Sequence, residues 1–372
     1  MIQRRKTIQV PVGKLVIGSG NPIRVQSMTT SDSQDFDATL KQIKELQEAD
    51  CELVRVTIPD EASAANIPGW VAAMDVPFIA DIHFNHKMAL AAIAGGAHKV
   101  RINPGNIGKE AKVREVLTAA RDKGTAVRIG VNSGSLEKDL LEKHGWPSPT
   151  ALVESALRHV AYARSVGVEK IIVSIKSTDV QAAVEANTLF AEQSDVPLHV
   201  GITEAGDRQY GPVKSAAGIG ALLLKGIGDT IRVSLTTIDP CVEIPVAYDI
   251  LKSTGVRVTS PEVIACPTCG RIEIDLEAIV EEVKRRLVRC KLPVKISVLG
   301  CAVNGPGEAR EADIGVAGAK GEGLLFRKGQ AVRKVKEEDL VDALIEEIEA
   351  LEKEREAEAA ESSSSEPQGV GH

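Results

Sequence analysis

The sequence predicts a (β/α)₈ barrel followed by a smaller α+β domain. Three observations carry this prediction. From Pro22 to about Thr254 a short apolar run alternates eight times with a helix-length stretch. Polar and cationic residues gather at the C-terminal ends of those runs, where a barrel keeps its active site. Past Ser253 the alternation stops, and two Gly/Pro-rich cysteine loops begin a different pattern. Alternating βα units imply parallel strands joined by helical crossovers. A doubly wound open sheet is the other arrangement of the same units.

Taken in order, the apolar runs place strands over 23–28, 52–58, 77–84, 99–103, 126–132, 170–176, 198–204 and 230–235. Helices are expected over 38–49, 60–73 (weakly), 86–94, 109–123, 151–166, 180–193, 213–225 and 242–253. Residues 1–254 thus form the barrel. In the second domain, 255–351, residues 255–263 look like a connector and 275–287 a helix with Leu276, Ile279, Val280, Val283 and Leu287 on one side. Strands are expected over 293–299, 313–317, 324–326 and 331–335, then an amphipathic helix over 339–351. The acidic, Ser-rich stretch 352–372 reads as a fraying helix and a disordered tail.

Composition narrows the function. The chain has 372 residues, 43% hydrophobic and 26% charged, ordinary for a soluble globular protein. A net charge of −7, with no basic run, speaks against a nucleic-acid partner. The N-terminus, Met1 to Lys6, is basic, but no apolar signal core follows it. The densest apolar run, 219–224, is far too short to span a bilayer, so a cytoplasmic protein is expected. Six cysteines in such a chain argue for metal or redox use over structural disulfides.

Side chains two or four apart on a strand share a face. Arg55 therefore pairs with Thr57, Arg101 with Asn103, Arg128 with Asn132, Ser174 with Lys176, and Arg232 with Ser234. Five cations from five strands would converge on one mouth, an arrangement that is costly without an anion to neutralise it. Arginine suits bidentate contact with phosphate, so a substrate with at least two phosphoryl groups is expected. Glycine-rich turns at 103–106 and 132–135 could bring backbone N–H groups to it, whereas no Walker loop or GxGxxG run supports a nucleotide. Glu204 ends the seventh strand as a candidate acid or base, or as a neutraliser of nearby arginines. His83, beside Asp81, is a candidate proton shuttle or a structural hydrogen bonder.

Cys266 and Cys269 form a CxxC, and Cys301 follows a strand that can fold back on them. With no second CxxC and no nearby histidine, the set suits an iron–sulfur cubane better than a closed zinc site. Glu308, after the Gly305–Pro306–Gly307 turn, is the candidate fourth, oxygen ligand. A thiol–disulfide pair and a zinc site stay open as alternatives. Cys51, Cys241 and Cys290 lack motif context and read as small apolar residues.

With these residues in place, the chain resembles the bacterial 4-hydroxy-3-methylbut-2-en-1-yl diphosphate synthases of non-mevalonate isoprenoid synthesis. The resemblance rests on segments 25–29, 80–84, 101–108, 128–132, 201–206 and 226–234 and on both cysteine loops. It implies a TIM barrel followed by an iron–sulfur domain similar to that of sulfite and nitrite reductases. It implies two-electron reductive ring opening of 2-C-methyl-D-erythritol 2,4-cyclodiphosphate with loss of water. By resemblance, Cys266, Cys269, Cys301 and Glu308 ligate a [4Fe-4S] cluster. Arg55, Arg101, Arg128, Asn132, Lys176, Arg232 and Ser234 would hold the diphosphate, Asn304 would touch substrate near the cluster, and Glu204 would be the acid/base. Flavodoxin or ferredoxin would donate electrons to a homodimer with a shared active site. A non-redox phosphate-binding barrel carrying a structural zinc domain is the rival reading.

Overall fold

The computed structural model describes residues 2–108, 110–303 and 305–364. They form two compact units, divided between Arg257 and Val258.

The first unit begins with a hairpin, β1 (Val10–Val12) and β2 (Leu15–Ile17), whose three-residue strands are too short to show a sequence period. The barrel strands follow: β3 (Arg24–Met28), β4 (Leu53–Thr57), β5 (Phe78–Ile82), β6 (Lys99–Ile102), β7 (Ala126–Asn132), β8 (Ile171–Lys176), β9 (His199–Val200) and β10 (Thr230–Ile231). They pair in parallel in the order β8-β7-β6-β5-β4-β3-β10-β9, and a parallel bridge between Val173 and Leu198 brings the two edges together. The eight-stranded barrel expected from the alternation is therefore present.

The last two strands are much shorter than the expected 198–204 and 230–235. A Cβ on Gly201 would stand 2.5 Å from the Arg232 carbonyl oxygen, and Glu204 turns the backbone left-handed at φ 51°. The chain leaves the sheet there, and pairing resumes only at the Gly206–Leu235 bridge. A further helix, Lys138–His144, lies in the connection after β7 and ends on Gly145 at φ 76°.

Local chemistry sets the crossover helices. Asp35, Asp60, Asn85, Ser148 and Asp179 each cap a helix by accepting a backbone N–H from its first turn. The weakly expected helix forms over Glu61–Ala73 because its Trp70, fully buried, stacks between Phe36 and Phe78. At the base of the barrel, Leu53, Ile79, Ala126 and Ile172 pack against Val10, Val12 and Ile17 of the hairpin, which closes that end. The basic N-terminus is structural: Arg4 pairs with buried Asp229 at 2.9 Å, and Arg5 donates to the Val196 carbonyl at 2.7 Å.

The second unit is a five-stranded sheet: β11 (Glu262–Ala265), β12 (Lys295–Leu299), β13 (Ile314–Ala319), β14 (Glu322–Arg327) and β15 (Gln330–Lys336). The first three are parallel neighbours and the last three antiparallel. Helices Leu276–Arg286 and Leu340–Ser364 cover it through Ile279, Val283, Leu344 and Ile348, which meet Val298, Val316 and Leu325. Strand β11 takes the end of the segment expected to be a connector. The last helix runs well past Leu351, since the Glu/Ala/Lys/Arg stretch that follows has high helix propensity. Residues 365–372 of the expected tail lie outside the described residues. No described helix is long and apolar enough to cross a membrane.

Candidate functional site

Period-two alternation builds the candidate site of the barrel. On β6, Val100 and Ile102 join the apolar layer beneath the helices, so Lys99 and Arg101 face the barrel interior. The same parity turns Arg55, Asp81, Arg128, Ser174, Lys176 and His199 inward, all buried. Arg232 follows the same face just beyond β10, its side chain 14% exposed. Asn132 and Ser234 are half-buried at the strand ends.

The charges do not balance. Asp81 lies 3.6 Å from Arg55 Nε and 3.3 Å from Arg101 Nη1. Burial would raise its pKa, but the arginines and His83 outweigh that and hold the carboxyl at about 2. Glu243, also buried, sits 3.5 Å from Arg232 Nε and accepts from Ser27. Against these two carboxylates stand six interior basic side chains: Arg55, Lys99, Arg101, Arg128, Lys176 and Arg232. Burial first, and then the neighbouring cations, push Arg128, Lys176 and Lys99 well below their ordinary ranges. Arg101 and Arg232 are lowered as well, again mainly by burial. The Nε atoms of Arg55, Arg128 and Arg232 have no hydrogen-bond partner. Guanidiniums packed this densely and only partly neutralised have the chemistry to receive a multiply charged anion.

Neutral groups orient the cations. Arg128 Nη1 donates to Gln26 Oε1 at 3.4 Å. Asn132, with its amide turned to satisfy both ends, accepts from Arg101 Nη2 at 3.1 Å. Asn103 donates to Ser135 in the turn after β7 at 2.7 Å. Two glycines, one in β7 and one just past β9, make room: a Cβ on Gly130 would lie 2.7 Å from Arg101 Nε, and one on Gly201 would lie 3.3 Å from Lys176 Nζ. The sequence reading passed over Lys99, Gln26, His199 and these glycines. Their signal was available, since an isolated glycine inside a strand marks a close approach.

Glu204 is exposed in the loop that leaves β9, and its left-handed backbone is a strained conformation for a residue with a side chain. His83 stands 3.6 Å from Asp81 with its side chain 44% exposed.

A separate candidate site lies in the second unit. Cys266 follows β11 directly and Cys301 follows β12 after Gly300, so parallel pairing sets the two loops side by side. Cys266 Sγ accepts from the Gly300 N–H at 3.3 Å. Arg271 interacts with both Cys269 and Cys301, and its hydrogen bonds to Cys269 lower that thiol's pKa. Glu308 lies in the turn of helix Gly305–Ala309, whose Ala309 shares a small apolar cluster with Cys266 and Leu299. All six cysteines are free. Among the described residues no three His, Cys, Asp or Glu side chains close on a single-ion site. A cubane asks for a wider set, one donor at each iron corner, and three free thiols with a carboxylate later in the second loop are donors of the right chemistry. Asn304 lies outside the described residues.

Residues 7–248 match the GcpE TIM-barrel domain and 262–350 the GcpE protein C-terminal domain. A 4-hydroxy-3-methylbut-2-en-1-yl diphosphate synthase (flavodoxin) of Bacillus mycoides is 53% identical over 96% of this chain and 98% of its own. Proteins of the same name from Bacillus licheniformis and Geobacillus thermodenitrificans are each 54% identical, over 96% and 95% of this chain and 96% and 94% of theirs.

Proposed function

From two facts, that the chain belongs to the GcpE family and that its barrel interior is an unneutralised cation cluster, we infer its reaction. It converts 2-C-methyl-D-erythritol 2,4-cyclodiphosphate to 4-hydroxy-3-methylbut-2-en-1-yl diphosphate. The cation cluster is the observation that carries this reading. A cyclic diphosphate supplies the negative charge that Asp81 and Glu243 leave wanting. Arg55, Arg101, Arg128, Lys176 and Arg232 bind the phosphoryl oxygens, with Asn132 and Ser234 at the rim. Asn304, three residues after Cys301 in the sequence, is the proposed further substrate contact.

Ring opening consumes two electrons and expels one water. Cys266, Cys269, Cys301 and Glu308 would hold a [4Fe-4S] cluster in an iron–sulfur domain of the sulfite and nitrite reductase kind. When bound, that cluster supplies one-electron transfers and an iron open to substrate oxygen. Glu204 gives a proton to the hydroxyl that departs as water. The relatives' names specify flavodoxin, and we assign the same donor class to this chain. A homodimer with a shared active site is the proposed assembly.

The cluster is tested by anaerobic reconstitution with iron and sulfide. The full chain should become brown and bind iron and inorganic sulfide, and Cys301→Ser should lose most of that absorbance. Retention of zinc alone would support the rival, non-redox reading.

A further inference from the structure

Beneath the arginines lies a buried amine that binding of the phosphoryl groups does not itself require. Lys99 is the first residue of β6, 0% exposed, and its Nζ has no hydrogen-bond partner. It sits two residues below Arg101 on the same face, roughly 7 Å deeper along the strand. Arg55 of β4, Arg128 of β7 and His199 of β9 interact with it electrostatically. Asp81 of the neighbouring β5 is committed to Arg55 and Arg101. Nearer the mouth stand Lys176 of β8 and Arg232 after β10, while β3 contributes the neutral Gln26. His199 Nδ1 is bonded to Thr230 Oγ1 at 2.8 Å, and burial pushes its pKa well below the usual histidine range. Below, Val10, Val12 and Ile17 of the hairpin pack against the base of the barrel. Among the described residues no carboxylate pairs with Lys99.

We propose that Lys99 couples substrate binding to proton uptake: its amine is neutral in the empty barrel and becomes an ammonium when the cyclic diphosphate seats on the arginines above it. This rests on the substrate reading given above. Burial, with repulsion from Arg128 and Arg55, drives Lys99 well below the ordinary lysine range in the empty barrel. A bound dianion cancels that repulsion and adds attraction, so the ammonium form gains on binding. Lys99 is thus a positioning residue that supplies a further positive charge only when there is an anion to meet it. The sign follows. Substrate binds the protonated form more tightly, so affinity falls as pH rises through the window between the free and bound pKa values, by up to tenfold per pH unit.

Calorimetric titration of the full chain with 2-C-methyl-D-erythritol 2,4-cyclodiphosphate, without reductant, tests this in two buffers of different ionisation enthalpy. Each phosphorus of the ligand carries one strongly acidic oxygen, so proton exchange near neutral pH reports the protein. Wild type should take up protons, and Lys99→Met about one fewer per site, with a flatter dependence of affinity on pH. Lys99→Gln serves if the first variant does not fold. Any share taken by Lys176 or His199 survives these substitutions and so is separated. Binding without proton uptake in wild type, or equal uptake in wild type and variant, overturns the assignment and leaves the substrate reading standing. No binding to wild type overturns the substrate reading and this assignment with it.

Discussion

Replacing Arg128 with methionine is expected to stabilise the empty protein while sharply weakening substrate binding. Arg128 is among the largest fully buried side chains, its Nε lacks a partner, and Arg55, Arg101 and Arg232 repel it. Exchange of such a buried charge for an apolar chain of similar volume is often stabilising by about 1–4 kcal/mol. The thermal midpoint should therefore rise by several degrees. The same change removes a desolvated cation from the anion site, a loss of roughly 2–5 kcal/mol in binding. That corresponds to a dissociation constant roughly 30- to 5,000-fold higher. Thermal melts with and without the cyclic diphosphate read both effects. A lower midpoint without ligand, together with undiminished stabilisation by ligand, would show that Arg128 is a structural ion and not part of the receptor.

Substitution of Glu204 should separate chemistry from binding and from backbone strain. Glu204→Gln keeps size and hydrogen bonding but cannot give up a proton, so turnover should fall by about 10²- to 10⁴-fold with substrate affinity nearly unchanged. Glu204→Gly should lose turnover to the same degree yet raise stability by about 1 kcal/mol, because glycine accepts the φ of 51° without steric cost. Steady-state kinetics and melts on the two variants together decide the role. Full turnover in Glu204→Gln would remove the carboxyl from the mechanism and leave Glu204 as a turn residue.

Much of the barrel was legible because strands buried on both faces read as short apolar runs, and the cations stood out against them. Arg55, Arg101, Arg128 and Lys176 were found by asking why a strand should carry charge at alternate positions, and the barrel brings them together. Lys99 escaped the same question because it opens its strand, where a lysine reads as a solvated end. The hairpin at Val10–Ile17 escaped because three residues show no period, although it seals the base of the barrel. The expected lengths of the last two strands failed for a different reason. Their apolar runs continue, but the approach of Gly201 to the Arg232 carbonyl and the turn at Glu204 are backbone events that hydropathy does not register. In the second unit, the cysteine loops were visible as motifs. Parallel pairing of β11 with β12, which sets Cys266 next to Gly300 and the Cys301 loop, comes only from the fold. The acidic stretch after Leu351, read as a fraying helix, continues the last helix as far as Ser364.

On the proposed function, a cyclic diphosphate bound by the barrel cations undergoes a two-electron ring opening that requires the cysteine loops. Anaerobic incubation of the iron- and sulfide-reconstituted chain with 2-C-methyl-D-erythritol 2,4-cyclodiphosphate and reduced flavodoxin tests it most directly, with product followed by phosphorus NMR. The predicted result is conversion to the linear allylic diphosphate, one molecule for every two electrons, and none with Cys301→Ser. Unchanged cyclic diphosphate in the presence of a reduced, fully loaded protein would contradict it.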